Sequence, residues 1–178
     1  MSGVVGGPSD GVAILVGLER GSDRPVSVRL RSMHATIVPD TRAIDWLGTL
    51  SDAESIGRIQ ALMGKGGTSK VRSELGAALT LHDDSARMLS AVRELLTREP
   101  DEDVRAETAA WLGGTVENPE VDRLLLLAVD DSSFRVRDEA LSAIVGRGNS
   151  AVIRDLTRSS RWEDVRLEAM QHLYERGR

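Results

Sequence analysis

Asp131-Ser132-Ser133-Phe134-Arg135-Val136-Arg137-Asp138-Glu139-Ala140-Leu141-Ser142-Ala143-Ile144 is the stretch whose reading decides the fold of this chain. Wound as a helix, it brings Val136, Ala140, Ala143 and Ile144 to one side, four, seven and eight residues apart. Small residues mid-stripe allow close approach to a neighbouring helix, and Ile144 supplies a larger anchor one turn on. Asp131–Ser133 ahead of it read as a turn. The core phrase, Val-Arg-x-Glu-x, returns elsewhere: Val71-Arg72-Ser73-Glu74-Leu75, Val104-Arg105-Ala106-Glu107-Thr108 and Val165-Arg166-Leu167-Glu168-Ala169. A looser first copy, Val28-Arg29-Leu30-Arg31-Ser32-Met33, carries Arg31 where the others have Glu.

Successive Val-Arg steps are 43, 33, 32 and 29 residues apart. The last three gaps suit a helical hairpin that cannot bury its apolar face alone and stacks on its neighbours. The expected fold is therefore all-α, a right-handed α-solenoid of about five helical hairpins. In the third copy the helical stripe is Val104, Thr108, Trp111 and Leu112, and in the last Val165, Ala169, His172 and Leu173. Trp111 is accordingly read as core packing.

Outward from these copies, Ser51-Asp52-Ala53-Glu54 matches a capping box, and Asn118-Pro119 marks a helix start. Gly64–Gly67 and Gly113-Gly114 end helices. Residues 1–8 read as a flexible leader and 9–178 as a single solenoid domain. Ser9 or Asp10 would cap a helix through Val12, Ile14, Leu15 and Leu18, ending near Gly21. Pro25 would open a second, with Val28, Met33 and Ile37 on its apolar side. Val26-Ser27-Val28-Arg29-Leu30-Arg31 also alternates with period two, as a half-buried strand does. Alignment with the four later copies favours a helix there. Asp40, after Pro39, would cap an inserted helix over 41–50 bearing Ile44, Trp46, Leu47 and Leu50, which accounts for the long first gap.

Composition narrows the function classes. The 178 residues are 40% hydrophobic, 29% charged and only 3% aromatic, which fits a globular chain cored with Leu, Ile, Val, Ala and Met. With no Cys, disulfides and thiolate metal sites are excluded. Net charge is −5 and the pI about 5.3, against the basic stripe expected of a nucleic-acid binder. No apolar run approaches the ~20 residues of a membrane span. Met1–Pro8 lacks a basic region, so no secretory signal is expected and cytoplasmic residence is the default.

The chemistry-bearing candidates are few. His34, His82 and His172 are not at metal-ligand spacing, and no Ser has a sequence-evident activating neighbour, so no catalytic residue, metal or cofactor is assigned. Gly64-Lys65-Gly66-Gly67-Thr68-Ser69-Lys70 superficially suggests a phosphate loop. A helix precedes it, Val71 stands where Ser or Thr would bind magnesium, and Ser69 replaces a needed Gly, so it reads as a hairpin turn.

The stretches Asp101–Gly113, Asp131–Ile144 and Arg161–Leu173 resemble HEAT and HEAT-like repeats, in the form also called phycobilisome-lyase-type. The resemblance implies a ladder in which an inner-turn acid, six residues before the repeated Arg, pairs with Arg residues between repeats. It assigns Asp23, Arg29, Arg72, Arg105, Asp131, Arg137 and Arg166 to that ladder. Glu99 substitutes ahead of Arg105, while Gly66 and Ser160 interrupt it. The implied function is a non-catalytic scaffold that docks a protein or peptide on its second-helix face. The acid column Glu74, Glu107, Glu139 and Glu168 would be presented there, with Arg31 and an exposed Trp162 at opposite ends. An accessory subunit of an enzyme complex is the alternative, and nucleic-acid binding ranks below both. Exposed ends of the solenoid would allow self-association.

Overall fold

The computed structural model describes residues 2–6, 12–32, 44–83, 85–115 and 118–176, which form two compact units, Met1–Val92 and Arg93–Arg178.

The first unit opens with a four-stranded sheet of β1 (Ser2–Gly6), β2 (Val12–Leu18), β3 (Pro25–Ser32) and β4 (Ile44–Trp46), in spatial order β3-β2-β1-β4. β2 pairs antiparallel with both β1 and β3, and β4 runs parallel to β1. The register sets Ile14 opposite Leu30 and Val16 opposite Val28. On β3 Val28 enters the core while Arg29 and Arg31 face water, whereas β2, inside the sheet, buries Ala13 as well as Ile14 and Val16. A register shift at Gly17/Leu18 explains why Pro25 is buried and Val26 exposed, against the simple alternation.

Helix α1 (Asp52–Gly64) begins with a complete capping box. The Ser51 hydroxyl accepts the Glu54 N–H, and the Glu54 carboxylate accepts the Ser51 N–H at 3.0 Å. Helix α2 (Ser69–Leu79) is capped by Thr68 and buries Val71, Leu75, Ala78 and Leu79. Gly67 before it holds φ +119°, and a Cβ there would sit 3.1 Å from the Pro25 carbonyl oxygen, so the turn passes directly under β3. A buried pair ties the two helices together: His82 Nε2 lies 2.6 Å from Ser55 Oγ, and Nδ1 lies 3.1 Å from the Leu79 carbonyl. With Nδ1 donating to that carbonyl, Nε2 accepts from the serine.

Helix α3 (Ser85–Arg98) spans the division between the units. The second unit continues with α4 (Glu102–Gly113), α5 (Pro119–Val129), α6 (Phe134–Gly146), α7 (Ser150–Ser159) and α8 (Glu163–Arg176). Asp101, Asn118 and Asn149 cap α4, α5 and α7 through side-chain oxygens. Val104, Val136 and Val165 are all buried, with Leu112, Ile144 and Ala169 completing their stripes. Helices α4 and α6 approach closely, since a Cβ on Gly113 would lie 2.6 Å from the Ala143 Cβ.

Among the described residues the helical-repeat fold class holds from residue 52 onward, in the eight helices α1 to α8, rather than as five hairpins from residue 9. Three expected helices are strands instead. The segment expected as a helix ending near Gly21 is β2, the one opened by Pro25 is β3, and the inserted element over 41–50 holds β4. Residues 2–6 of the expected leader are β1. Ser9, Asp10, Met33, His34, Ile37, Pro39 and Asp40 lie outside the described residues. The physical reason is the alternation itself: a Val-Arg dipeptide puts one residue in and one out under either period, so two residues cannot separate helix from strand.

Candidate functional site

In the helical repeats the arginine of each phrase folds back onto the turn before its own helix. Arg72 donates to the Gly67 carbonyl at 2.7 Å and Arg166 to Ser160 at 2.8 Å. Arg105 reaches the Glu99 and Pro100 carbonyls, and Arg137 those of Asp131 and Ser132 at 3.0 and 2.9 Å. These bonds satisfy turn carbonyls that would otherwise be left orphaned near the core.

Arg105 and Arg137 also reach forward to the next hairpin. Arg105 makes a two-pronged pair with Asp131, Nε to Oδ2 at 2.8 Å and Nη2 to Oδ1 at 3.0 Å. Asp131 Oδ1 also accepts the Ser133 N–H at 2.8 Å. Burial pushes the Asp131 carboxyl up, but bonds from Arg105 and the Ser133 N–H outweigh it and hold it below the usual range. Arg137 meets Asp164 through Nε at 2.9 Å and Nη2 at 2.6 Å. Ser160 therefore leaves no gap in this rung, because Asp164, two residues before Arg166, supplies the acid. Asp23 and Arg29 have no place in such a stack. Arg29 projects from β3, and Asp23, in the turn before it, lies 3.9 Å from Lys65.

Trp162 is not an open anchor. Arg137 and Arg161 both lie over its ring, 4.0 Å and 5.0 Å from the ring centre, and its indole N–H is buried without an acceptor among the described residues. Arg161 is held there by Asp130, at 2.7 Å to the carboxylate and 2.8 Å to the carbonyl. Trp111, expected inside, is 53% exposed. The buried stripe of α4 runs from Val104 to Thr108 and Leu112, about 40–80° round from it, and Trp111 falls about 20° to the other side of Val104, just past that edge.

On the second-helix side, Glu107 and Glu168 are exposed, and Glu74 and Glu139 are half-buried on α2 and α6. Arg31 is exposed on β3, where its guanidinium reaches only the Leu30 carbonyl at 3.3 Å. Between α6 and α8 runs a groove of about 530 Å³ whose lining includes Phe134, Val145, Leu167, Glu168, Gln171 and His172. Phe134 and Leu167 are 59% and 56% exposed. At its rim Glu168 stands against Asp138. Partial burial, the Asp138 charge and hydrogen bond, and the Asp164 charge together raise the Glu168 pKa. Further along, Arg135 of α6 pairs with Asp103 of α4.

The Glu168 shift has a stability consequence. Above the ordinary Glu value of 4.5 the folded chain binds more protons here than the unfolded one, so this group's contribution falls as pH rises through the window up to its raised pKa. Glu168→Gln is expected to raise the urea midpoint at pH 7 and to remove that decline. A parallel titration of both chains by urea melts between pH 4 and 8 reads it directly.

The Ser55–His82 pair is the arrangement sequence reasoning missed, since 27 residues separate its members. Both side chains are closed off in the core, so it fastens α1 to the end of α2 and meets no substrate. Among the described residues no group of three or more His, Asp or Glu is placed to hold a metal ion. None of the helices described is long and apolar enough to cross a membrane.

Stacked helical pairs joined by an arginine–aspartate ladder define a helical-repeat protein of the kind that presents its surface to other macromolecules. Residues 89–173 match the family model of HEAT repeats. The match is to HEAT repeats at large and does not extend to the phycobilisome-lyase-type form. No curated protein and no solved structure matches the chain.

Proposed function

We propose that residues 93–178 form a non-catalytic docking module that binds a protein or peptide across the second helices, in the groove between α6 and α8. HEAT repeats in general mediate protein–protein interaction, which supports the class of partner. The observation that carries the choice of face is the juxtaposition of Asp138 and Glu168 beside exposed Phe134 and Leu167. Two carboxyls held together cost stability in the free chain, and a cation from a partner relieves that cost on binding. The fitting ligand is thus a segment with a Lys or Arg next to an aliphatic or aromatic residue. The exposed Glu107 on α4 extends the acidic field along the same row of helices.

The test is paired charge reversal, Glu107→Lys with Glu168→Lys, measured against a partner captured from native extract by the unaltered chain. Affinity is expected to fall about tenfold or more, with the thermal midpoint unchanged or raised. Undiminished retention of that partner by the reversed chain would remove this reading.

A further inference from the structure

The second helices of residues 93–178 use one set of positions to meet the helix that follows. These stand two, five and nine residues after the repeat valine. On α4 they are Ala106, Ala109 and Gly113; the two alanines are fully buried, and Gly113 lies against Ala143 of α6. On α6 they are Asp138, Leu141 and Val145, where Leu141 is buried and Asp138 meets Glu168 of α8. On α8 the same positions hold Leu167, Met170 and Tyr174, which are 56%, 46% and 63% exposed. A large apolar stripe thus stands exposed at the register that carries buried alanines on α4 and buried Leu141 between half-buried Asp138 and Val145 on α6.

The polar groups tell the same story independently. Arg105 and Arg137 each take a carboxylate from the next inner turn, Asp131 and Asp164. Arg166, their counterpart, is half-buried and bonded to the Ser160 carbonyl, and it meets no carboxylate among the described residues. On the first-helix side Asp122 of α5 reaches forward to Arg147 at 2.9 Å and Asn149 at 3.0 Å. Thirty-two residues on, Arg154 occupies the matching place in α7, exposed and with its guanidinium unpaired among the described residues. Arg166 on α8 and Arg154 on α7 are thus two cations that meet no carboxylate among the described residues.

We propose that the exposed face of α8 is a docking surface for a helical hairpin of a partner chain that carries an Asp or Glu in its inner turn. The hairpin seats as a further repeat: its apolar side covers Leu167, Met170 and Tyr174, its turn acid pairs with Arg166, and a second acid meets Arg154. This surface adjoins the α6/α8 groove and shares Leu167 with it, while Met170, Tyr174, Arg154 and Arg166 are outside the groove lining.

The probe is the full 178-residue chain extended at its carboxy terminus by a second copy of its own residues 118–146, which bring an inner-turn Asp131. Docking is expected to slow amide exchange in α8 about tenfold or more and to raise the unfolding midpoint. Asp131→Asn in the appended copy alone is expected to give back about tenfold of that protection. Met170→Lys with Tyr174→Lys is expected to abolish it while leaving exchange in α4 unchanged. Exchange in α8 that ignores the appended hairpin would overturn the proposal. So would a dimer of the unextended chain, seen by sedimentation and dissolved by the Met170/Tyr174 pair, because the surface would then belong to a second copy.

Discussion

Arg137→Ala is expected to destabilise the second unit by about 3–5 kcal/mol, the range for removing one partner of a largely buried ion pair. The magnitude follows from how much one side chain holds. Arg137 is 6% exposed, donates to two turn carbonyls, grips Asp164 with two nitrogens and stacks on Trp162. Its loss leaves the Asp131 and Ser132 carbonyls unsatisfied, a carboxylate unpaired and one face of an indole uncovered. Arg137→Lys is expected to recover only a minor part, because one ammonium cannot serve carbonyls, carboxylate and ring at once. Asp164→Asn should cost less than either, since Asp164 sits partly in water and retains hydrogen-bonding capacity. Urea unfolding followed by helical circular dichroism reads all three. A loss below ~1 kcal/mol for Arg137→Ala would place this rung among surface pairs of little weight.

Gly113→Val is expected to cost about 2–3 kcal/mol through overpacking. A Cβ at this position meets the Ala143 Cβ at 2.6 Å and its Cα at 3.1 Å, and the second contact is with backbone that cannot swing aside. Gly113→Ala meets the same contacts, but the helix preference of Ala over Gly offsets about 1 kcal/mol of the penalty. The pairing is testable as a cycle: Ala143→Gly made together with Gly113→Ala should restore most of the stability that Gly113→Ala loses alone. Additive losses in the double variant would show that α4 and α6 do not meet at this point.

The ladder shows where sequence reasoning reached and where it stopped. The repeated arginine and the inner-turn acid are visible as a spacing of six, Asp131 before Arg137. Whether a given rung is occupied is not visible. Ser160 reads as a missing acid, but Asp164, four residues on, reaches the same guanidinium from the first turn of α8. Side-chain reach of a few ångströms lets either position serve, and a linear motif cannot choose between them. Trp111 and Trp162 exchange their expected environments for a related reason. Val-plus-seven counting puts Trp111 at the stripe's edge, where a shift of some tens of degrees in the packed face decides burial. Trp162 sits beside Arg161 in sequence, but Arg137 closes over it from the preceding repeat. The candidate groove was legible only as an acid column. Pairing Glu168 with Asp138, and setting both beside Phe134 and Leu167, required two helices to be in place.

By itself the sequence determined the helical hairpins from residue 52 onward, because their signals are local: a capping box at Ser51, Asn118-Pro119, glycines at helix ends, and valine stripes sustained over three turns. It also determined most of the core of those helices, with Trp111 the exception. Only tertiary structure decided the segment over 12–32. There the apolar period is ambiguous over a few residues, and partners from other strands, Ile14 with Leu30 and Val16 with Val28, supply the hydrogen bonds that make extended backbone the stable choice. It likewise decided which arginines are matched by acids and which surfaces stay open, because both depend on groups some 26 or more residues apart in the chain meeting in space.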